Sequence, residues 1–106
     1  MSVRIINNGA NVIASLEGDI DHHNAAAMRD CIDGAIEGLR PKKLTLDFSA
    51  VSFMDSSGVG LVMGRYKNAA RCGAEVELLG LSRSAERIMR MSGLEKLVSI
   101  ERKGCL

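Results

Sequence analysis

The chain is 106 residues long, 46% hydrophobic and 25% charged, proportions that exclude a disordered or fibrous chain. Fourteen basic against thirteen acidic side chains leave a net charge of +1, too little concentrated positive charge for a general polyanion binder. Aromatic residues make up 3% (Phe48, Phe53 and Tyr66, with no tryptophan), which excludes a stacking platform for bases or sugars.

A chain this long can bury about two-thirds of its unfolded surface, so residues 1–106 are expected to fold as one domain without staples. Cys31, Cys72 and Cys105 are odd in number and lack metal-ligand or CxxC spacing, the pattern of reduced thiols in a cytoplasmic protein. The early apolar residues are broken by Asn7, Asn8, Gly9 and Asn11, which argues against a secretory leader. No apolar run approaches the ~20 residues that cross a bilayer.

Residues 2–6 read as a first strand, and Asn8-Gly9 is a turn signal. Residues 11–17 alternate as a second strand, so a hairpin opens the chain. Asp21 or Asn24 caps a first helix that carries Met28, Cys31, Ile32, Ala35, Ile36 and Leu39 on one face and ends before Pro41. Residues 43–48 form a third strand, with Leu44, Leu46 and Phe48 on one side. A loop over 49–55 follows, in which Phe53 and Met54 anchor the chain in the core. A second helix covers 57–72 and a fourth strand covers 75–79. Ser82 caps a third helix that runs through Arg90, with Gly93 as its stop. Residues 97–100 make a last strand.

The order β-β-α-β-α-β-α-β contains successive strand–helix–strand units, which predicts an α/β fold with a small mixed sheet flanked by helices. Charge is placed unevenly along it. Residues 1–55 hold five basic and eight acidic groups, net −3, while residues 56–106 hold nine and five, net +4. Two differently solvated faces or a polar partner surface both fit that asymmetry.

The stretch from Asp55 into the second helix is the most informative part. Asp55, Ser56 and Ser57 put three short oxygen-bearing side chains where the helix begins, in the residue types that cap helices. The same helix start favours an anion, through its N–H groups and dipole. Capping and phosphorylation are compatible there, and the residues alone do not choose between them. Gly58 leaves the helix start uncluttered, and Gly60 and Gly64, four apart, let one helix face approach the sheet or a partner closely.

The segment Phe53-Met-Asp-Ser-Ser-Gly-Val-Gly-Leu-Val-Met-Gly-Arg-Tyr-Lys67 closely resembles the anti-sigma factor antagonists of the STAS domain family. The resemblance continues in Gly18-Asp-Ile-Asp-His-His23 and in Met91-Ser-Gly-Leu-Glu-Lys-Leu97, so it spans nearly the whole chain in order. Asp-His-His and Gly-Arg-Tyr-Lys favour the sporulation branch over a general-stress relative. The resemblance implies a STAS-like fold and a protein that works by partner switching, without catalysis and without a cofactor or bound metal. Its unphosphorylated form would bind an ATP-dependent serine kinase that is also the anti-sigma factor, freeing the sigma factor. Phosphorylation would release it, and a metal-dependent serine phosphatase would restore it. Carried onto this sequence, the phosphorylated residue is Ser56, with Ser57 as the helix cap and runner-up acceptor. Asp19, Asp21, Asp55, Ser56, Ser57, Gly58 and Val59 are the implied partner contacts. No nucleic acid or membrane partner is implied. Relatives continue into a C-terminal helix where this sequence has Lys103-Gly-Cys-Leu106.

Three rivals stand beside this reading. A small serine hydrolase would use Ser56 with His22 or His23 and an aspartate, but the chain has no GxSxG elbow and little length for a substrate pocket. Nucleotide binding would rest on Gly58, Gly60 and Gly64, which are not the GxGxxG fingerprint and precede no P-loop lysine. A STAS scaffold module of a stress-sensing complex differs only in its partners. His22 and His23, adjacent at a helix start, are expected to diverge, which suits a capping or surface role better than a metal site.

Overall fold

A computed structural model describes residues 2–102; the segment 103–106, with Cys105, lies outside the described residues, as does any helix following the last strand. The elements are β1 (Ser2–Asn8), β2 (Asn11–Ile20), α1 (Ala25–Leu39), β3 (Lys43–Met54), α2 (Ser57–Arg71), β4 (Glu75–Leu79), α3 (Arg83–Met91) and β5 (Ser99–Glu101), with a short 3-10 turn at Leu94–Lys96. The five strands form one sheet in the order β1-β2-β3-β4-β5, a mixed α/β arrangement of the expected kind. β1 runs antiparallel to β2, and every other neighbouring pair is parallel.

The hairpin turns at Gly9, whose φ of 69° suits glycine at the first position of a two-residue loop. Each later step across the sheet is spanned by one helix. Right-handed crossovers taken in one direction put all three helices on the same face. Packing agrees with that. Val12, Ala14 and Leu16 of β2 join Leu44, Leu46 and Phe48 of β3 and Val76 and Leu78 of β4 in one buried cluster. The helices add Met28, Ile32 and Ile36 from α1, Leu61, Val62 and Ala69 from α2, and Ala85 and Met89 from α3 to the same cluster. Burying each large side chain stabilises the fold by about 1.5–3 kcal/mol. Alternate strand residues point the other way and are mostly polar, Ile13 and Leu79 apart. There Thr45 donates to Glu77 at 3.2 Å, and Lys43 pairs with the same carboxylate at 3.2 Å.

Helix boundaries follow local chemistry. α1 ends where Arg40 turns left-handed (φ 44°) and donates to the Ile36 carbonyl, with Pro41 next. Its exposed Cys31 and Leu39 fall outside the buried stripe, which is narrower than the sequence pattern suggested. At α3 the Ser82 hydroxyl accepts from the Ala85 N–H at 3.1 Å, as expected of a cap. Gly93, at φ 80°, lies two residues beyond α3 and leads into the 3-10 turn, which the sequence pattern did not disclose.

The largest departure concerns residues 49–55. They are not a loop: β3 continues to Met54, and β2 continues to Ile20 beside it. Beyond Asp47, opposite Leu79 of β4, the last part of β3 pairs with β2 alone, as Glu17↔Ala50, Gly18↔Val51, Asp19↔Phe53 and Ile20↔Met54. Register shifts at Ser15/Glu17 and Gly18/Asp19, with Gly18 at φ 94°, re-aim this ribbon. Strand alternation separates the two expected anchors. Met54 is buried, whereas Phe53 is 56% exposed.

Candidate functional site

The extended β2–β3 ribbon delivers two chain segments side by side at the carboxyl ends of the strands. The Asp55 N–H donates to the Ile20 carbonyl at 3.1 Å, which ties the start of α2 to the turn before α1. Asp19, Asp21, Asp55, Ser56 and Ser57 therefore belong to one neighbourhood, although the two segments are more than 30 residues apart in sequence.

Each has a distinct local role. The Asp21 carboxylate accepts the N–H groups of His23 and Asn24, both at 3.0 Å, and its carbonyl accepts from Ala25 at 2.9 Å. Of the two candidate caps for α1, Asp21 is the one whose side chain holds the turn. The Asn24 side chain instead donates to the Asp19 carbonyl at 3.0 Å. Asp19 itself is exposed, opposite Phe53. The rings of His22 and His23 do not diverge; their centroids lie 4.0 Å apart.

At α2 the capping side chain is Asp55, not Ser57. Asp55 Oδ1 accepts the Ser57 N–H at 2.8 Å, its carbonyl accepts from Gly58 at 3.0 Å, and the Ser56 carbonyl accepts from Val59 at 3.0 Å. Hydrogen bonds from the Ser57 N–H and hydroxyl hold the Asp55 carboxyl below its ordinary value of 3.8, with a smaller contribution from His22. A carboxyl whose folded-state value is lowered stabilises the fold fully above its unfolded value and loses that contribution as pH falls through the folded one. The start of α2 should therefore loosen only below about pH 4. Asp55→Ala should lower the melting temperature at pH 7 and flatten the acid limb of the pH–stability curve. Ser57→Ala keeps the N–H bond to Asp55 and loses only that of the hydroxyl, so it should flatten the acid limb less than Asp55→Ala does; a larger loss for Ser57→Ala would restore serine as the cap.

Ser56 stands at the N-cap position, exposed, with a side chain that makes no capping bond. Its hydroxyl is thus available for chemistry without cost to the helix. Ser57 is half-buried, and Val59 packs partly against the core. Gly58 is buried, and a Cβ there would run into the Met54 side chain at Sδ and Cγ. Gly58→Ala should accordingly cost about 1–3 kcal/mol by overpacking, read as a shift in denaturant midpoint. Gly60 and Gly64 have open space where a Cβ would be, so close approach rests on Gly58 and not on that pair.

One feature of the motif carried no recognisable signal. Arg65, only 7% exposed, lies 2.7 Å from Asp33 Oδ1 of α1, and the Asn68 side chain donates to the same oxygen at 2.9 Å. Desolvation pulls the guanidinium value down and the Asp33 charge opposes it. This buried ion pair locks α1 to α2 behind the serine loop. A groove of about 310 Å³ between these helices is lined by His22, Arg29, Ser57 and Arg65 over Ala25 and Leu61. Among the described residues no three His, Cys, Asp or Glu side chains converge as metal ligands, and no helix is long and apolar enough to cross a membrane.

Comparison with known proteins fits this geometry. The STAS domain model matches residues 2–103. An anti-sigma F factor antagonist of Paenibacillus polymyxa is 35% identical over 89 residues, covering 84% of this chain and 76% of the relative. An anti-sigma-B factor antagonist of Listeria monocytogenes is 31% identical over 87 residues, covering 79% and 73%. Among solved structures, the unphosphorylated anti-sigma factor antagonist SpoIIAA superposes with a TM-score of 0.81 at 29% identity, over 96% of this chain and 90% of that one. The phosphorylated form of the Bacillus cell fate determinant SpoIIAA gives 0.74 at 29% identity, over 96% and 93%.

Proposed function

Because the chain belongs to the STAS domain family, we propose that it is an anti-sigma factor antagonist that works in the cytoplasm by partner switching, with Ser56 as its switch. In the unphosphorylated state it binds an ATP-dependent serine kinase that is also an anti-sigma factor, and so frees the sigma factor. The surface it offers is built from Asp19, Asp21, Asp55, Ser56, Ser57, Gly58 and Val59. The relatives' names support the class of activity. The observation that carries the switch is the exposed Ser56 hydroxyl, relieved of capping duty by Asp55.

The modification moves the γ-phosphoryl group of ATP to Ser56 Oγ. The bond to the β-phosphate breaks, ADP leaves, and the hydroxyl proton passes to a base on the kinase. A serine phosphatase, which brings its own metal, later hydrolyses the Oγ–P bond with water and so returns the serine hydroxyl and inorganic phosphate. The chain itself catalyses nothing.

The phosphate adds about −1.5 to −2 charges beside a carboxylate that stays ionised at neutral pH. The first N–H groups of α2 are already bonded, to Asp55 and Ser56 oxygens, and offer the new anion no cradle. Bulk and like-charge repulsion then act on the bound partner, while the fold stays as it is. Titration with a candidate kinase anti-sigma factor tests the reading: a tight complex that ATP dissolves supports it. Esterase turnover abolished by Ser56→Ala, with no complex formed, would overturn it in favour of a hydrolase.

A further inference from the structure

The positive charge of the second half of the chain is not used by the Ser56 switch, and the fold gathers much of it on α3. Arg83, Arg87 and Arg90 are spaced by four and three residues along this helix, so they lie on one side of it. Arg102, just past β5, approaches Glu86 at 3.8 Å, and Arg90 Nε lies 2.8 Å from the same carboxylate oxygen. Those two bonds hold Glu86 below the ordinary carboxylate range. Arg90 and Arg102 thus share Glu86, while among the described residues Arg83 and Arg87 have no ion pair.

Two concavities join along this side. One of about 650 Å³ is lined by Ser49, Gly80, Leu81, Arg83, Glu86 and Arg102. The other, about 310 Å³, adds Arg87, Arg90 and Met91 to the same charged groups. Met91 is 79% exposed. This is an unfavourable way to make a merely solvated helix face. Like charges at i,i+4 and i,i+3 weaken a helix, and α3 is nine residues long.

The spacing suggests what fits. Four residues of helix advance about 6 Å. Alternate side chains of an extended strand repeat every ~6.6 Å on one face. Carboxylates at alternate positions of an extended segment therefore fall opposite Arg83 and Arg87, where guanidinium forks bind them bidentately. The apolar surface of Leu81 and Met91 remains for the segment's other side chains. A concave face suits an extended segment better than a flat bilayer, the carboxylates meeting the two guanidinium groups that Glu86 leaves unpaired, and a chain of net charge +1 releases few counterions on a nucleic acid. We propose that the arginine face of α3, with Arg102, docks an extended acidic segment of a partner protein. Its lining shares no residue with the Ser56 loop, so it does not depend on the switch.

The probe is a fluorescein-labelled peptide of alternating glutamate and leucine, titrated into the full chain at low ionic strength, with amide spectra recorded in parallel. Saturable binding is expected, with shifts confined to 80–91 and 102. The double variant Arg83→Glu/Arg87→Glu should weaken it at least tenfold, and Arg83→Gln/Arg87→Gln should weaken it in the same sense should charge reversal disturb folding. Absence of saturable binding, equal binding by the glutamine variant, or shifts centred on 55–59 would overturn the proposal. So would binding of phosphatidylglycerol vesicles or duplex DNA at this face in preference to the peptide.

Discussion

Ser56→Asp should weaken binding to the kinase partner at least a hundredfold, even in protein that has never met ATP. A factor of one hundred corresponds to about 2.7 kcal/mol. The mutation places a carboxylate next to Asp55, whose own charge is fixed by its bonds to Ser57. At the centre of a contact made for a neutral hydroxyl, two adjacent anions repel and one of them is left without a partner, which typically costs several kcal/mol. Ser56→Ala should behave in the opposite way. It binds as tightly as the unmodified protein and stays bound when ATP is added. Isothermal titration with and without ATP distinguishes the pair. Equal affinity for the aspartate and alanine variants would show that charge at Ser56 is not what the partner reads.

Asp33→Ala should be the most damaging substitution away from the serine loop. It strands the Arg65 guanidinium, which is 7% exposed, and removes the acceptor of Asn68 as well. Breaking a buried pair from one side costs about 3–5 kcal/mol. The Asp33 side chain keeps 24% exposure, which puts the expectation at the lower end, about 3 kcal/mol. For a domain of this size that is a fall in melting temperature on the order of 15 °C. Removing both charges with Asp33→Leu/Arg65→Met should recover most of the loss, because apolar replacements avoid the desolvation of both ions. Failure of the double variant to recover would mean that the pair positions α1 against α2 in a way packing cannot replace.

The amphipathic pattern of the sequence was enough to place β4 and the start of α2 at their observed residues, because each has a clean period and a clear punctuating residue. The outer half of β3 was illegible for a physical reason. Ser49, Ala50 and Ser52 carry no strand signal of their own, and they are strand only because β2 extends alongside through two register shifts. The same ribbon turns Phe53 outward, so the expectation of an aromatic anchor failed with it.

At the site, the residue types were legible but their division of labour was not. Three consecutive oxygen-bearing side chains all suit a helix start, and only the backbone geometry assigns the cap to Asp55 and leaves Ser56 free. The choice of Ser56 came from resemblance to a family, and the geometry supplies a reason why that serine can be modified cheaply. Arg65 and Asp33 were invisible, since 32 residues separate two ordinary surface-type charges that meet only after α1 and α2 pack.

The central claim is that one phosphate on Ser56 dissolves the complex. It is tested most directly by incubating the protein with the kinase anti-sigma factor and ATP, then mapping the phosphate by mass spectrometry while following the complex by size-exclusion chromatography. A single phosphate on Ser56, appearing as the complex dissociates, is the predicted result. Phosphate on Ser57 instead, or a complex that survives full modification of Ser56, would contradict it.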